Sequence, residues 1–287
     1  MICTIQDQKE LANCKTAYIF KGLGLNLIPF QPNEKQLEKM KECEEGAVNE
    51  SSKIGLTLSF AQRKFINTLT ICIANSTLMD TIQRNTSYSK KNWVNKVVPI
   101  NYGNLMFKFP IKEINKLFGR SITERPAKDK QCIVEELSSR KFFLISTKGK
   151  IKYQKAFPMK CEDGYLKFTF HQFLIGRGYD KRTNFFDKIN TLYETIFFEY
   201  LFNKTKDFRK KRIDHLCFTT RCLLKDLGME ELAKTHKQKA IEILNTCFDK
   251  AFQKDIFTEK FTYTKESFKQ KDKTHINIPI NKEFKWY

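Results

Sequence analysis

The sequence predicts an α+β fold of two tandem modules of one design, preceded by a short N-terminal arm. Three observations carry that expectation: an internal repeat, the same order of elements around both copies, and a positive charge confined to the part of the chain that holds them. Met106–Gly119 lies over His215–Gly228 without a gap, and the matched pairs include Phe109/Phe218, Lys112/Arg221, Ile114/Leu223, Lys116/Lys225, Phe118/Leu227 and Gly119/Gly228. Each copy reads as an extended entry, a short helix and a glycine stop, glycine being the residue that tolerates the left-handed backbone with which helices commonly end.

The arm and its linker take residues 1–53. Gly22-Leu23-Gly24, Pro29 and Pro32 precede a charged stretch from Asn33 to Glu45, whose Glu42, Glu44 and Glu45 would repel phosphate, and Gly46 to Lys53 reads as a polar linker. The first module takes residues 54–180. Ser59 with Gln62 three residues on matches a capping box, and Leu58, Ala61, Phe65, Leu69, Cys72 and Ile73 then recur at helical spacing. Met106 to Phe109 is a short extended run, and Pro110 opens a helix where its missing N–H costs nothing. Ile111, Ile114, Leu117 and Phe118 give that helix its apolar face. A further helix, Lys128 to Ser139, buries Cys132, Ile133 and Leu137. Lys141 to Ile145 reads as a strand, Lys148-Gly149-Lys150 as a turn and Ile151 to Phe157 as the return. Asp163-Gly164 is a two-residue hairpin signal ahead of alternating Leu166, Phe168 and Phe170. This is the element order of a winged helix-turn-helix domain.

The second module, residues 181–287, repeats it. Phe185, Ile189, Leu192, Ile196 and Tyr200 mark a long helix, followed by a basic run from Lys204 to Arg212. Leu216-Cys217-Phe218 is extended, Thr219 or Thr220 can cap, and Arg221 to Leu227 forms the short helix. A longer helix from Lys234 to Lys254 buries Ala240, Ile241, Leu244, Phe248, Ala251 and Phe252. Phe257 to Tyr263 and His275 to Ile280 are expected to pair as strands around the basic loop Lys265 to Lys273, the second wing. The fold class is therefore α+β, two tandem winged helix-turn-helix domains.

The 287 residues carry 52 Lys+Arg against 32 Asp+Glu, a formal charge of +20. Residues 1–50 hold 6 basic and 8 acidic side chains, residues 51–203 hold 26 and 12, and residues 204–287 hold 20 and 12. A coding bias toward lysine would spread along the whole chain, yet the first 50 residues escape it. A polyanion is the expected partner. No apolar run reaches the length of a bilayer span, the start lacks the layout of a secretion signal, and nine dispersed cysteines without a C-x-x-C pair fit a reducing cytosol. The expected location is cytoplasmic, with no membrane partner.

Enzyme chemistry finds no foothold. There is no G-x-x-x-x-G-K-[ST] phosphate cradle, and the four histidines, 171, 215, 236 and 275, never fall at H-x-H or H-E-x-x-H spacing. His215, Cys217 and Cys222 come nearest to a metal cluster, but the repeat assigns Cys217 to an extended entry and Cys222 to a helix, so buried cysteines are the plainer reading. Glu162 with Asp163, and Glu135 with Glu136, read as surface and turn carboxylates. No cofactor and no catalytic residue is expected. The aromatic residues fall mostly at core-periodic positions, which argues against a single-strand stacking platform.

In a helix-turn-helix the second helix enters the major groove with its first residues at the base edges. Those residues are Lys234, Thr235, His236, Lys237, Gln238 and Lys239 in the second module, with Asn245 a weaker candidate one face-repeat further on, and Lys128, Lys130 and Gln131 in the first. Gln can read adenine through paired hydrogen bonds and Lys can donate to guanine acceptors. Phosphate contacts are expected from Lys148, Lys150 and Lys152, from Arg209, Lys210, Lys211 and Arg212, and from Lys269, Lys271 and Lys273.

The layout resembles the replication initiator proteins of theta-replicating plasmids, a tandem winged-helix family. The resemblance rests on a long helix opening the second module (Thr191 to Tyr200), a short helix ending Leu-Gly (Leu223 to Gly228), a long recognition helix (Lys237 to Phe252) and a wing (Thr264 to Thr274). It covers roughly residues 55–283, in element order more than in residues. It implies an initiator that binds repeated double-stranded DNA sites at an origin as a monomer, helps open adjacent AT-rich DNA and recruits a host helicase and initiator proteins, with dimers acting as repressors. A winged-helix transcriptional regulator without a replication role is the alternative, and a protein-interaction module the next.

Overall fold

The computed structural model describes residues 2–5, 16–20, 58–77, 105–127, 131–145, 151–170, 174, 179–183, 189–206, 213–269 and 275–286. They belong to a mixed α+β chain of two compact units, one with the described residues of 1–23 and 61–184, the other with those of 24–60 and 185–286. Among the described residues no helix is long and apolar enough to cross a membrane.

The first unit holds β1 (Ile2–Cys3), β2 (Thr16–Phe20), α1 (Phe60–Ala74), β3 (Met106–Pro110), α2 (Ile111–Phe118), α3 (Ile133–Ser138), β4 (Lys141–Ile145), β5 (Ile151–Lys155), β6 (Met159–Glu162), β7 (Tyr165–Phe168) and β8 (Tyr179–Thr183). Its main sheet has the order β1-β3-β7-β6, with β1 parallel to β3 and the rest antiparallel. Strand alternation turns Phe107, Phe109, Leu166 and Phe168 inward. There Phe107 stacks on Phe168 at 5.0 Å between centroids, and Phe168 meets Phe170 edge-on at 5.6 Å. Asp163 and Gly164 have φ of 52° and 77°, the positive values a type I′ turn requires, so the Asp-Gly pair does close the β6–β7 hairpin.

The helices pack through α1. Phe65 meets Phe118 at 5.2 Å, while the Gln62 carboxamide donates to Glu136 (3.0 Å) and accepts from Arg140 (3.4 Å). α3 is shorter than the expected Lys128–Ser139: it begins after Cys132, whose backbone N–H donates to the Glu135 carboxylate at 3.1 Å in a capping box. The arm expected to stand apart over residues 1–53 is corrected at two places. Ile2–Cys3 pairs with the open edge of β3, and Thr16–Phe20 pairs antiparallel with β8, because strand backbone groups need partners.

The second unit holds α4 (Leu192–Thr205), β9 (His215–Thr219), α5 (Thr220–Asp226), α6 (Glu230–Thr235), α7 (Lys237–Gln253), α8 (Lys265–Lys269) and β10 (His275–Pro279). α4 starts at Leu192 rather than near Phe185, because the Thr191 hydroxyl caps it by accepting the Glu194 N–H at 3.3 Å. Phe248 of α7 sits among Phe197 (4.9 Å), Phe218 (6.0 Å) and Phe261 (5.0 Å). A buried Glu194 carboxylate accepts from Lys250 at 2.7 Å and from the Asn190 N–H at 3.0 Å, tying α7 to the start of α4. Phe252, expected in the core, lies off the buried stripe and is exposed.

The expected wing of this unit is also corrected. β10 pairs antiparallel with β9, not with residues 257–263, which form no strand; Phe257 alone makes an isolated bridge, to Ile280. Within the expected basic loop, α8 forms and buries Phe268. That single apolar residue gives the segment a reason to fold onto the unit.

The two copies of the repeat adopt one structure position for position. β3 and β9 both span five residues at matched positions, α2 and α5 follow with no intervening residue, and Gly119 and Gly228 have φ of 84° and 68°. Ile114 and Leu223 are both fully buried. In each unit a later strand returns to pair antiparallel with the first strand of the repeat, β7 on β3 and β10 on β9.

Candidate nucleic-acid interface

The surface around the start of α7 is built from the repeat outward. Thr219 caps α5 by accepting the Cys222 N–H (3.2 Å), and Leu223, Leu224 and Leu227 anchor it. Gly228 turns the chain, and the Met229 N–H returns to the Leu224 carbonyl at 2.8 Å. α6 then runs for six residues until His236, whose φ of −136° and ψ of 63° break the helix. α7 starts at Lys237 and buries Ala240, Ile241, Leu244, Cys247, Phe248 and Ala251, a single stripe that leaves Gln238, Lys239, Glu242 and Thr246 exposed.

The expected base-reading set divides. Lys237, Gln238 and Lys239 form the first turn of α7 and are together. Gln238 is exposed and its Nε2 donates to Glu242 at 3.1 Å, a bond that solvent or a base edge can replace. The Lys237 ammonium lies 5.6 Å from the centre of the Phe268 ring, which seats α8 beside the start of α7. Lys234 and Thr235 close α6 instead of opening the long helix, because the break falls at His236. Lys234 pairs with Glu231 at 3.2 Å, and the Thr235 hydroxyl donates to the Glu231 carbonyl at 3.0 Å.

Asn245 is corrected outright. Its Nδ2 donates to the Tyr263 carbonyl (3.2 Å) and its Oδ1 accepts the Tyr263 N–H (2.7 Å). The carboxamide thus completes the backbone of a segment that has no strand partner, and is not available to a base. In the first unit Gln131 is exposed just before the Cys132 cap, outside the helix. Lys128 and Lys130 lie outside the described residues. Both carboxylates of α3 have structural partners, Glu135 the cap and Glu136 the Gln62 side chain.

Of the phosphate-contact candidates, Lys148, Lys150, Arg209, Lys210, Lys211, Arg212, Lys271 and Lys273 lie outside the described residues. Lys152 sits on β5 opposite Leu144, and Lys269 ends α8. Among the described residues no group of three or more His, Cys, Asp and Glu side chains is placed to hold a metal ion. The set His215, Cys217 and Cys222 is not gathered. His215 bonds Asp214 at 2.8 Å, Cys217 lies 3.7 Å from His275 across the strands, and both cysteines are exposed rather than buried. The His215 contact holds the Asp214 carboxyl below its ordinary range.

One cluster escaped the sequence reading. Lys160, Lys167 and Lys108 stand directly opposite one another across β6, β7 and β3. Each alternates with inward-facing residues, a signal visible along each strand, but the alignment of the three depends on pairings between distant segments. Compared with family models, with curated proteins and with solved structures, the chain gives no match to any of them.

Proposed function

We propose that this chain is a sequence-specific duplex-DNA-binding protein of two tandem winged helix-turn-helix domains, and that it acts as a replication initiator on repeated origin sites. The observation that carries the reading is the doubled unit: extended strand, short helix, left-handed glycine, further helix and a strand returning to the first, in both units. A fold that repeats a DNA-binding layout suits a target with repeated contacts, and the charge of +20 suits a polyanion.

In this reading α7 enters the major groove. Gln238 exchanges its Glu242 contact for paired hydrogen bonds to adenine, and Lys237 and Lys239 reach guanine acceptors or flanking phosphates. Lys148, Lys150, Lys152, the run Arg209 to Arg212, and Lys269, Lys271 and Lys273 supply phosphate contacts that set register and affinity. The resemblance to plasmid initiators adds opening of adjacent AT-rich DNA and recruitment of a host helicase.

Footprinting on the DNA flanking its own gene tests the proposal. Several regularly spaced protected repeats support an initiator. One palindromic site identifies a transcriptional regulator instead, and no salt-sensitive DNA binding rejects both.

A further inference from the structure

The solvent face of the β1-β3-β7-β6 sheet presents an arrangement that packing and solubility do not explain. Lys160 pairs in register with Lys167, and Lys167 with Lys108, so three lysines line up across three neighbouring strands. At a strand spacing of about 4.8 Å the row spans roughly 10 Å. Like charges directly opposite one another on a sheet are destabilising. A lysine surface that served solubility alone would gain by offsetting them. The row is only partly offset from within: Glu162 accepts from Lys167 at 2.7 Å and from Lys160 at 3.2 Å, and Asp163 stands at the hairpin tip. Lys108 has no carboxylate partner in this row. Its ammonium lies 4.4 Å from the centre of the Tyr165 ring.

The same face carries exposed apolar surface. Tyr165, in register with Glu162 and Pro110, is 37% exposed; Met106 is 44% exposed; and Ile2, in register with Met106, is 63% exposed. A row of cations beside an exposed aromatic ring and two exposed aliphatic side chains is the combination that grips a backbone of phosphates while its bases stack. In a duplex the base faces are already stacked on one another, so the ring has nothing to receive. An acidic peptide would match the lysines but not the ring.

We propose that this sheet face binds single-stranded nucleic acid, with Lys108, Lys160 and Lys167 on the phosphates and Tyr165, an aromatic residue outside the core-periodic positions that argued against stacking, receiving a base. The site is distinct in sequence from the α7 surface and stands without the duplex reading. An opened strand next to a duplex site would give both surfaces a role in one complex.

Fluorescence anisotropy of the full-length chain with a labelled oligo-dT at low salt tests it. Tyr165→Ala is expected to weaken oligo-dT binding by roughly 5- to 150-fold, the range for losing one stacked base. Tyr165→Phe restores it, and Lys160→Gln/Lys167→Gln flattens the salt dependence. Preference for the chain's own duplex site over an unrelated duplex should be unchanged by Tyr165→Ala and lost with Lys237→Ala/Gln238→Ala/Lys239→Ala, which separates failure of this site from failure of the α7 site. Because the altered side chains are on the solvent face, an unchanged circular dichroism spectrum and an unchanged thermal unfolding curve certify the variants. The proposal is overturned by equal oligo-dT binding in Tyr165→Ala, by absence of oligo-dT binding in the unaltered chain, or by poly-glutamate displacing oligo-dT as well as unlabelled oligo-dT does.

Discussion

Asn245→Ala separates two accounts of the same residue. If its carboxamide holds the Tyr263 backbone, as the 2.7 and 3.2 Å contacts show, the substitution removes two hydrogen bonds and strips partners from a backbone amide group beside a buried ring. Each bond contributes about 1 kcal/mol net, and the unsatisfied groups add to the cost, so about 2–3 kcal/mol of stability should go. Asn245 is only half-buried, so water reaches the vacated site and the lower end is the better figure. Urea unfolding followed at Trp286 in a Trp93→Phe background reports this unit: the indole is buried and donates to Thr205 at 2.9 Å. For a slope of about 1–2 kcal/mol per molar urea, the midpoint should fall by roughly 1–2 M. At urea-free conditions the folded variant should keep sequence-specific DNA binding. A midpoint within roughly 0.3 M of the parent, the error of such a measurement, together with lost specificity, would refute the structural role and restore Asn245 to the base-reading set.

Other outcomes follow from the same contacts. Glu194→Ala leaves the Lys250 ammonium without its 2.7 Å partner in a largely buried site and should cost about 3 kcal/mol by the same Trp286 unfolding assay; a neutral result would mean the pair is replaced by water without loss. Burial pushes the phenols of Tyr200 and Tyr263 above the ordinary 10.0 and the Cys247 thiol above 9.0. Because the unfolded groups ionise at their ordinary values, this stabilisation is complete below about pH 9 and is lost as the pH rises further. On alkaline titration two of the ten tyrosines should therefore ionise only as Trp286 emission reports unfolding, and ionisation of all ten well before unfolding would contradict the burial of this pair. Gly119→Ala meets no atom within 4 Å but keeps φ of 84°, so thermal unfolding should show a purely backbone cost of about 1–2 kcal/mol, with a milder loss for Gly119→Asn.

The repeat was legible because its features are local. Alternation fixes which of Phe107, Lys108 and Phe109 point inward, and a glycine after an apolar turn marks the stop at 119 and 228. The Asp-Gly hairpin is legible for the same reason. The break at His236 is not, since neither Pro nor Gly interrupts a pattern that reads as helix on both sides. Asn245 lies on the same helical face as Gln238, so spacing alone assigns it to the DNA side. Its true partner arrives 18 residues later in a segment whose path only the tertiary fold decides. Phe268 likewise turns part of a basic loop into α8, outweighing the charges around it. The lysine row illustrates the same limit, because strand pairing joins β3 to β6 and β7 from more than fifty residues away. Local signals name the elements; which side chains meet is decided by pairings that span the unit.

The central claim, specific duplex binding through the first turn of α7, is tested most directly by comparing specific and non-specific DNA affinity across salt. The comparison is made for the parent chain and for Lys237→Ala/Gln238→Ala/Lys239→Ala. With six to ten phosphates engaged, the parent's affinity should fall by about 10³–10⁵ between roughly 50 and 200 mM salt while still preferring its own site. The variant should fold as the parent does and bind both sequences alike. A variant that keeps the parent's preference for the specific site would contradict the account.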